Sequence, residues 1–330
     1  MMPWKKPLSG SQAGTFMVAG QLKMPSVLHV GSIAGVPQEL SRAERRLGLK
    51  SDVISFQPHP FDYEVDIFRP TTLPFPFRFP ERLLSFLKVV GNYDILHFHY
   101  FSVLPFGLDL PLWKMLAKKI VFHYHGDDIR NKGESTLSRH CARAVLVSTP
   151  DLLAWSPRAR WTPNPIDLMK YPYIGVEDHE RKLRILHAPS VPKVKGTEYV
   201  VRAVEDLKAE GYEIELDLVK NMPHQMAVEH YKQADIVVDQ LLVGWYGVFA
   251  IECMALGKPV CVYIREDLKS YLPTPGPLVA TSPRDIKEDL RRLINDAHLR
   301  SRIGKTARTF VEQVHDADKI AKYLVKEIYR

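Results

Sequence analysis

The chain has 330 residues, 45% hydrophobic and 25% charged, a composition that suits a globular protein and excludes fibrous or extensively disordered classes. Its length exceeds that of most single cores, so two domains are expected. The net charge of +7 is uneven: residues 1–23 carry three Lys and no acid, residues 24–165 carry 17 basic and 13 acidic residues, and the rest is balanced at 25 of each. Such a bias suits an anionic membrane surface or a phosphorylated acceptor, although a solvated basic face is the simpler reading. No basic run with interleaved aromatics points to nucleic acid. No run approaches the roughly 18 consecutive apolar residues of a spanning helix, and the first residues lack the apolar core of a signal peptide. The expected location is therefore cytoplasmic, with peripheral attachment to the inner membrane face as an option. Cys141, Cys253 and Cys261 are too few and too irregular for a disulfide framework or a paired-thiol zinc site, and are expected to be small buried hydrophobes.

In chain order, residues 1–23 lack periodicity and read as a flexible leader. Val27 to Val30 is a buried-strand run, Gly31 to Gly35 a glycine loop, and Leu40, Ala43 and Leu47 mark a helix. Further runs follow at 52–56, 93–99, 120–126 and 144–148, apolar on both faces as strands covered by helices should be. The segment from Phe56 to Pro80, rich in Pro and Phe, reads as a surface loop on the acceptor side. Residues 161–167, with two prolines, read as an interdomain linker. A second series has strands at 184–188, 214–219, 235–239 and 259–263, with helices over 197–209 and 248–256. The amphipathic end, Lys319 to Tyr329, is expected to cross back onto the first domain. The expected boundaries are 24–165 for an N-terminal domain, 166–315 for a C-terminal domain and 316–330 for the returning helix. Two blocks of alternating strands and helices imply two Rossmann-like, doubly wound parallel sheets, whose ligands sit at the carboxyl ends of the strands in the cleft between them.

Several motifs occur in a telling order: Gly31, Asp94-Ile95-Leu96-His97, His125-Gly126-x-Asp128-x-Arg130, Pro163-Asn164-x-x-Asp167, Lys195-Gly196, and Trp245 through Gly247 and Glu252 to Pro259. On these the chain resembles the retaining glycosyltransferases of family 4 (glycosyl transferases group 1), over nearly all of residues 24–315. The resemblance implies a GT-B fold, two Rossmann-like domains facing across a cleft, and metal-independent transfer of a sugar from a UDP- or GDP-sugar with no further cofactor. It implies that Glu252 holds the nucleotide ribose, a carboxylate accepting two hydroxyl donors, with an exposed helical Glu as the alternative. Lys195 would contact the donor diphosphate, beside Ser190, Gly196 and the backbone of Tyr246, Gly247 and Val248, where a glycine lets the ligand approach a helix start. Gly31 would lie against the donor. His125 would hydrogen-bond the sugar; a satisfied core histidine is the alternative. Ser32, Asp128 and Arg130 fall on the acceptor side, which family habits assign to a glycan or lipid-linked acceptor.

Two departures stand out. The first of the family's two glutamates is replaced by Gly244, and the arginine five residues before the lysine by Ser190. Lys193 and Asp239 are the nearest candidates to replace the lost charges. These changes keep open a non-catalytic GT-B-like binding subunit, and the shared two-domain plan keeps open a nucleotide-sugar epimerase. The pairs His97/His99 and His123/His125 each face one side of a strand, as metal ligands do, but the sequence shows no further ligands, and no metal site is expected. A dinucleotide oxidoreductase is disfavoured, because Gly31 to Gly35 lacks the Gly-x-Gly-x-x-Gly spacing.

Overall fold

The computed structural model describes residues 24–176 and 182–330. The expected leader, 1–23, lies outside them. The first sheet is built from β1 (Val27–Val30), α1 (Val36–Arg46), β2 (Ser51–Ser55), β3 (Ile67–Phe68), α2 (Arg78–Val90), β4 (Ile95–His99), α3 (Leu110–Met115), β5 (Lys119–Tyr124), α4 (Thr136–Cys141), β6 (Ala144–Val147) and β7 (Arg160–Trp161). The second follows as β8 (Leu183–His187), α5 (Pro192–Lys195), α6 (Thr197–Ala209), β9 (Ile214–Leu218), α7 (His224–Gln233), β10 (Ile236–Val238), α8 (Val248–Ala255), β11 (Val260–Val262), β12 (Val279–Ala280) and α9 (Ile286–Asn295). Then α10 (Ala297–Val314) and α11 (Ala317–Tyr323) return towards the first sheet.

Every strand pairing is parallel. The sheet orders are β3-β2-β1-β4-β5-β6-β7 and β12-β11-β10-β8-β9. Both are doubly wound orders, and each reverses direction once: between β1 and β4 in the first sheet and between β8 and β10 in the second. Loops leaving neighbouring strands on opposite sides open a crevice there. The first crevice is bounded by Gly31 and Tyr100, the second by Ser190 and Asp239.

Three local expectations are revised. The Pro- and Phe-rich segment contributes the edge strand β3, and its earlier part reaches the second domain, where the His224 amide donates to the Phe61 carbonyl at 3.1 Å. Lys195 ends its own short helix, α5; Gly196, at φ 75°, separates it from α6. Cys141 is only partly buried, whereas Cys253 and Cys261 are buried.

The chain's end is held by a clasp that is buried at Tyr329 and open to solvent at Asp318. Helix α11 lies along α1, Arg46 of α1 pairs with Asp167 and Asp318 at 3.1 and 2.7 Å, and the Tyr329 hydroxyl donates to Glu44 of α1 at 2.7 Å. Within the second domain α10 crosses α8 so closely that a Cβ on Gly304 would lie 2.0 Å from the Gly257 carbonyl oxygen. That oxygen belongs to backbone and cannot rotate away. Gly304→Ala is therefore expected to destabilise the protein by about 1–3 kcal/mol, overpacking outweighing the gain in helix propensity of about 1 kcal/mol. Calorimetry should read this as a fall of about 2–4 °C in Tm per kcal/mol.

Candidate active site

At the first crevice Gly31 has φ 99°, and a Cβ there would meet the His99 carbonyl at 2.8 Å, so only glycine fits. Ser32 is partly buried and accepts from the Gln38 amide at 2.8 Å. His125 follows β5, and its backbone N–H, with that of Gly126, donates to the Asp128 carboxylate at 2.9 and 2.7 Å. Arg130 pairs with the buried Asp151 at 2.9 Å. Asp128 and Arg130, expected on the acceptor side, are thus committed to holding the loop that carries His125.

Five histidines line one face of this sheet. Parallel pairing sets His29 beside His97 and His99 beside His123, with His125 two residues further on. His29, His97, His99 and His123 are fully or almost fully buried, and His125 is partly exposed. Hydrogen bonds run from Glu44 to His29 (2.9 Å), His29 to His99 (3.0 Å) and His99 to His125 (3.1 Å). His97 meets the Tyr329 hydroxyl at 2.9 Å, while both nitrogens of His123 lack a partner among the described residues. Burial pushes His97, His99 and His123 well below the usual imidazole range, and His125 down to about 3. The triplets His29/His97/His99 and His99/His123/His125 each bring their nitrogens within 4.8 Å of one another. Metal ligation needs in-plane lone pairs that converge. Here four of the ring nitrogens are already paired with one another, His29 with His99 at 3.0 Å and His99 with His125 at 3.1 Å.

At the second crevice Ser190 is exposed, and Lys195 projects so that its Nζ lies 3.9 Å from the buried Asp239 carboxylate. The same carboxylate accepts the Gly247 N–H at 2.8 Å, at the start of α8. A cation and a helix N-terminus thus meet at one anion. Gly196 and Val248 flank this point along the chain. The Tyr246 side chain is buried and bonded to His315 at 3.0 Å, turned away from the crevice chemistry expected of its backbone. Gly244, at φ 93°, packs under Arg265, whose Cγ would lie 2.6 Å from a Cβ, which excludes the family glutamate from this backbone. Lys193 is exposed.

Glu252 is buried rather than an exposed helical residue, and its Oε1 accepts from Tyr171 at 2.8 Å and His224 at 2.7 Å. Burial alone would lower the His224 pKa, but the Glu252 hydrogen bond raises it overall. The Tyr63 ring, from the first domain, lies 4.8 Å from the His224 ring. Sequence reading missed Tyr63, Tyr171 and His224, because only the bridging segment brings them together. It missed the Glu44 end of the histidine chain as well, although the His-x-His pattern was visible.

No family model matches the chain. An uncharacterized glycosyltransferase of Methanocaldococcus jannaschii is 26% identical over 185 residues, covering 46% of this chain; the chain spans 45% of that relative's length. Among solved structures, Thermosynechococcus elongatus sucrose-phosphate synthase superposes with a TM-score of 0.68 at 17% identity, covering 92% of this chain and 98% of its own. Anabaena HepE, in complex with UDP-glucose, gives 0.69 at 13% identity, covering 92% and 99%. The fold is GT-B. In the GT-B frame the histidine-lined crevice belongs to the first domain and the Lys195–Gly247 site to the second.

Asp128 provides a pH handle on the first of these. Burial pushes its carboxyl up to about 6, against the pull of the two backbone donors. A group whose folded pKa is raised contributes stability that is full below the unfolded value of about 4 and is lost as pH rises through about 6. Asp128→Asn cannot titrate. The Tm difference between variant and wild type should therefore shift in the variant's favour from pH 4 to 7, whatever its constant offset, and a flat difference would contradict this.

Proposed function

We propose that the protein is a glycosyltransferase that moves a sugar from a nucleoside diphosphate sugar to an acceptor hydroxyl, with retention and without a metal. The observation that carries this reading is the meeting of the Lys195 ammonium and the Gly247 N–H at the Asp239 carboxylate, at the switch point of the second sheet. Such a site suits a diphosphate, which takes the place of the internal carboxylate at the helix start, with Ser190 and Gly196 alongside. Both hydrogen bonds to Glu252 use Oε1, leaving Oε2 for a ribose hydroxyl. His125 meets the sugar from the other crevice. The bond from the anomeric carbon to the phosphate oxygen breaks, its electron pair leaving with the nucleoside diphosphate. The acceptor oxygen bonds to the same face of the sugar, and its proton passes to the departing phosphate. Lys195 and the helix start stabilise the charge that develops there. The glycosyltransferase name of the archaeal relative supports this reading, and the UDP-glucose complex of HepE makes UDP-sugars the first donors to test.

Lys195→Ala tests the reading, because Lys195 is partly exposed and its loss leaves the core intact. Donor turnover across a panel of UDP- and GDP-sugars should fall about 100-fold or more, as removal of a charge-stabilising donor usually costs. Unchanged turnover would sink the account. Stabilisation by a nucleotide with no transfer or hydrolysis in the wild type would instead point to the binding-subunit reading.

The acceptor side carries exposed aromatics: Phe75, Phe77 and Phe106 are 70, 62 and 87% exposed, and the Arg78 guanidinium lies 5.7 Å from the centre of the Phe75 ring. We take this as a peripheral contact with an anionic membrane that presents a lipid-linked acceptor. Among the described residues no helix is long and apolar enough to cross a membrane. Phe75→Ser with Phe77→Ser should abolish co-sedimentation with phosphatidylglycerol vesicles and leave Tm unchanged; sedimentation equal to wild type would remove the membrane contact.

A further inference from the structure

We propose that Glu44, His29 and His99 are positioning residues that hold His125 in one neutral tautomer, Nε2 protonated and Nδ1 bare, so that the substrate group meeting this ring must be a hydrogen-bond donor. The last clause rests on the reading that His125 faces substrate; the tautomer does not.

The assignment follows from counting protons inward from the buried end. Glu44 is fully buried and receives the Tyr329 hydroxyl at 2.7 Å, the Ser51 hydroxyl at 2.7 Å and His29 Nε2 at 2.9 Å. An acidic side chain with three donors around it acts as acceptor throughout, so His29 carries its proton on Nε2. We take His29 with a single N–H, which leaves its Nδ1 bare, 3.0 Å from His99 Nε2. His99 must therefore donate through Nε2, which leaves its Nδ1 bare, 3.1 Å from His125 Nε2. His125 donates through Nε2 in turn. Its Nδ1 has no protein partner among the described residues, and His125 is the one ring of the five that is partly exposed. Each link allows a single proton, because a second would set N–H against N–H at about 3 Å.

The surroundings favour neutral rings. His125 stacks on His123 at 4.4 Å and on His99 at 5.3 Å, and His97 lies behind them, so a charge on any ring faces several others in a buried space. Asp128, the nearest carboxylate in the loop, spends its oxygens on the backbone N–H groups of His125 and Gly126 and not on the ring. A histidine's partner on one nitrogen sets which nitrogen it offers outward. Here that partner is three residues deep.

The deciding experiment is long-range 1H–15N correlation on protein labelled with 15N-histidine, with His125 assigned through His125→Phe. In wild type, His125 should show a protonated Nε2 and an unprotonated Nδ1; the opposite pattern overturns the proposal without any variant of the chain. His99→Phe, which breaks the chain, should leave His125 as a mixture of tautomers, whereas His99→Gln, whose amide can accept from His125 and donate to His29, should restore the Nε2–H form. A pure Nε2–H tautomer in folded His99→Phe would show that the chain does not set it. These readings need no activity, so they stand or fall apart from the glycosyltransferase assignment. Given activity, a monodeoxy donor or acceptor lacking the hydroxyl that meets Nδ1 should lose roughly tenfold or more in kcat/KM with wild type and little with His125→Phe. A panel in which no position separates the two enzymes would refute the donor requirement.

Discussion

A carboxylate inside a protein must be surrounded by donors, and Glu44 draws its donors from His29 of β1, Ser51 of β2 and Tyr329 near the end of the chain. That requirement ties together parts of the molecule that are otherwise far apart in sequence. The C-terminal segment leaves the second domain and returns to α1, 285 residues away from its hydrogen-bond partner. Without this return the polar face of the first sheet would be open to water. With it, Ile320, Leu324, Ile328 and Tyr329 cover the same face as Val27, Ile95 and Val121. An apolar seal around a polar column keeps each hydrogen bond in the column from being exchanged for one to water.

The two crevices are built on different physical devices. In the second domain the site is electrostatic: a helix start and a lysine around a carboxylate, flanked by Gly196 and Gly244, both at left-handed φ. Gly244 belongs to this set. Its left-handed φ and the Arg265 side chain lying over it mean that the glutamate expected from the resemblance cannot be had by a simple exchange of side chain. A Glu here would need a different turn and a displaced Arg265 side chain. In the first domain the site is a hydrogen-bonded column of side chains that runs from Glu44 to the crevice at His125.

Much of the sheet architecture was legible because parallel strands buried on both faces read as unbroken apolar runs, and the glycine loops between them punctuate the chain. What was not legible had one cause. β3 is a two-residue edge strand with no pattern of its own, and α5 is a single turn, so neither leaves a periodicity. Lys195, Gly247 and Glu252 stood out by motif order, but the side chains they contact in the structure did not. His224 and Tyr63 are separated by the whole linker and meet only because the Phe61 carbonyl caps the His224 amide. His-x-His on two strands was visible; whether such rings chelate, stack or relay depends on strand register and on ring planes, which sequence does not carry.

The contacts around Glu252 bear on how the two crevices communicate. Its hydrogen-bond partner His224 begins α7 in the second domain, while Tyr63 and Phe61, which hold His224, sit on the segment between β2 and β3 of the first. Gly35, at the start of α1, lies against the same Tyr63 ring, where a Cβ would approach within 2.8 Å. Helix α1 also carries Glu44, the buried end of the histidine column. A movement of Tyr63 against α1 is therefore felt at both places: at Glu252 through His224, and at the column through the helix that carries its terminal carboxylate. Helix α1 is also packed along its length by α11, whereas His224 stands at the start of α7 against the bridging segment. Glu252 thus depends on a contact from the bridging segment, whereas Glu44 rides on a helix packed against α11.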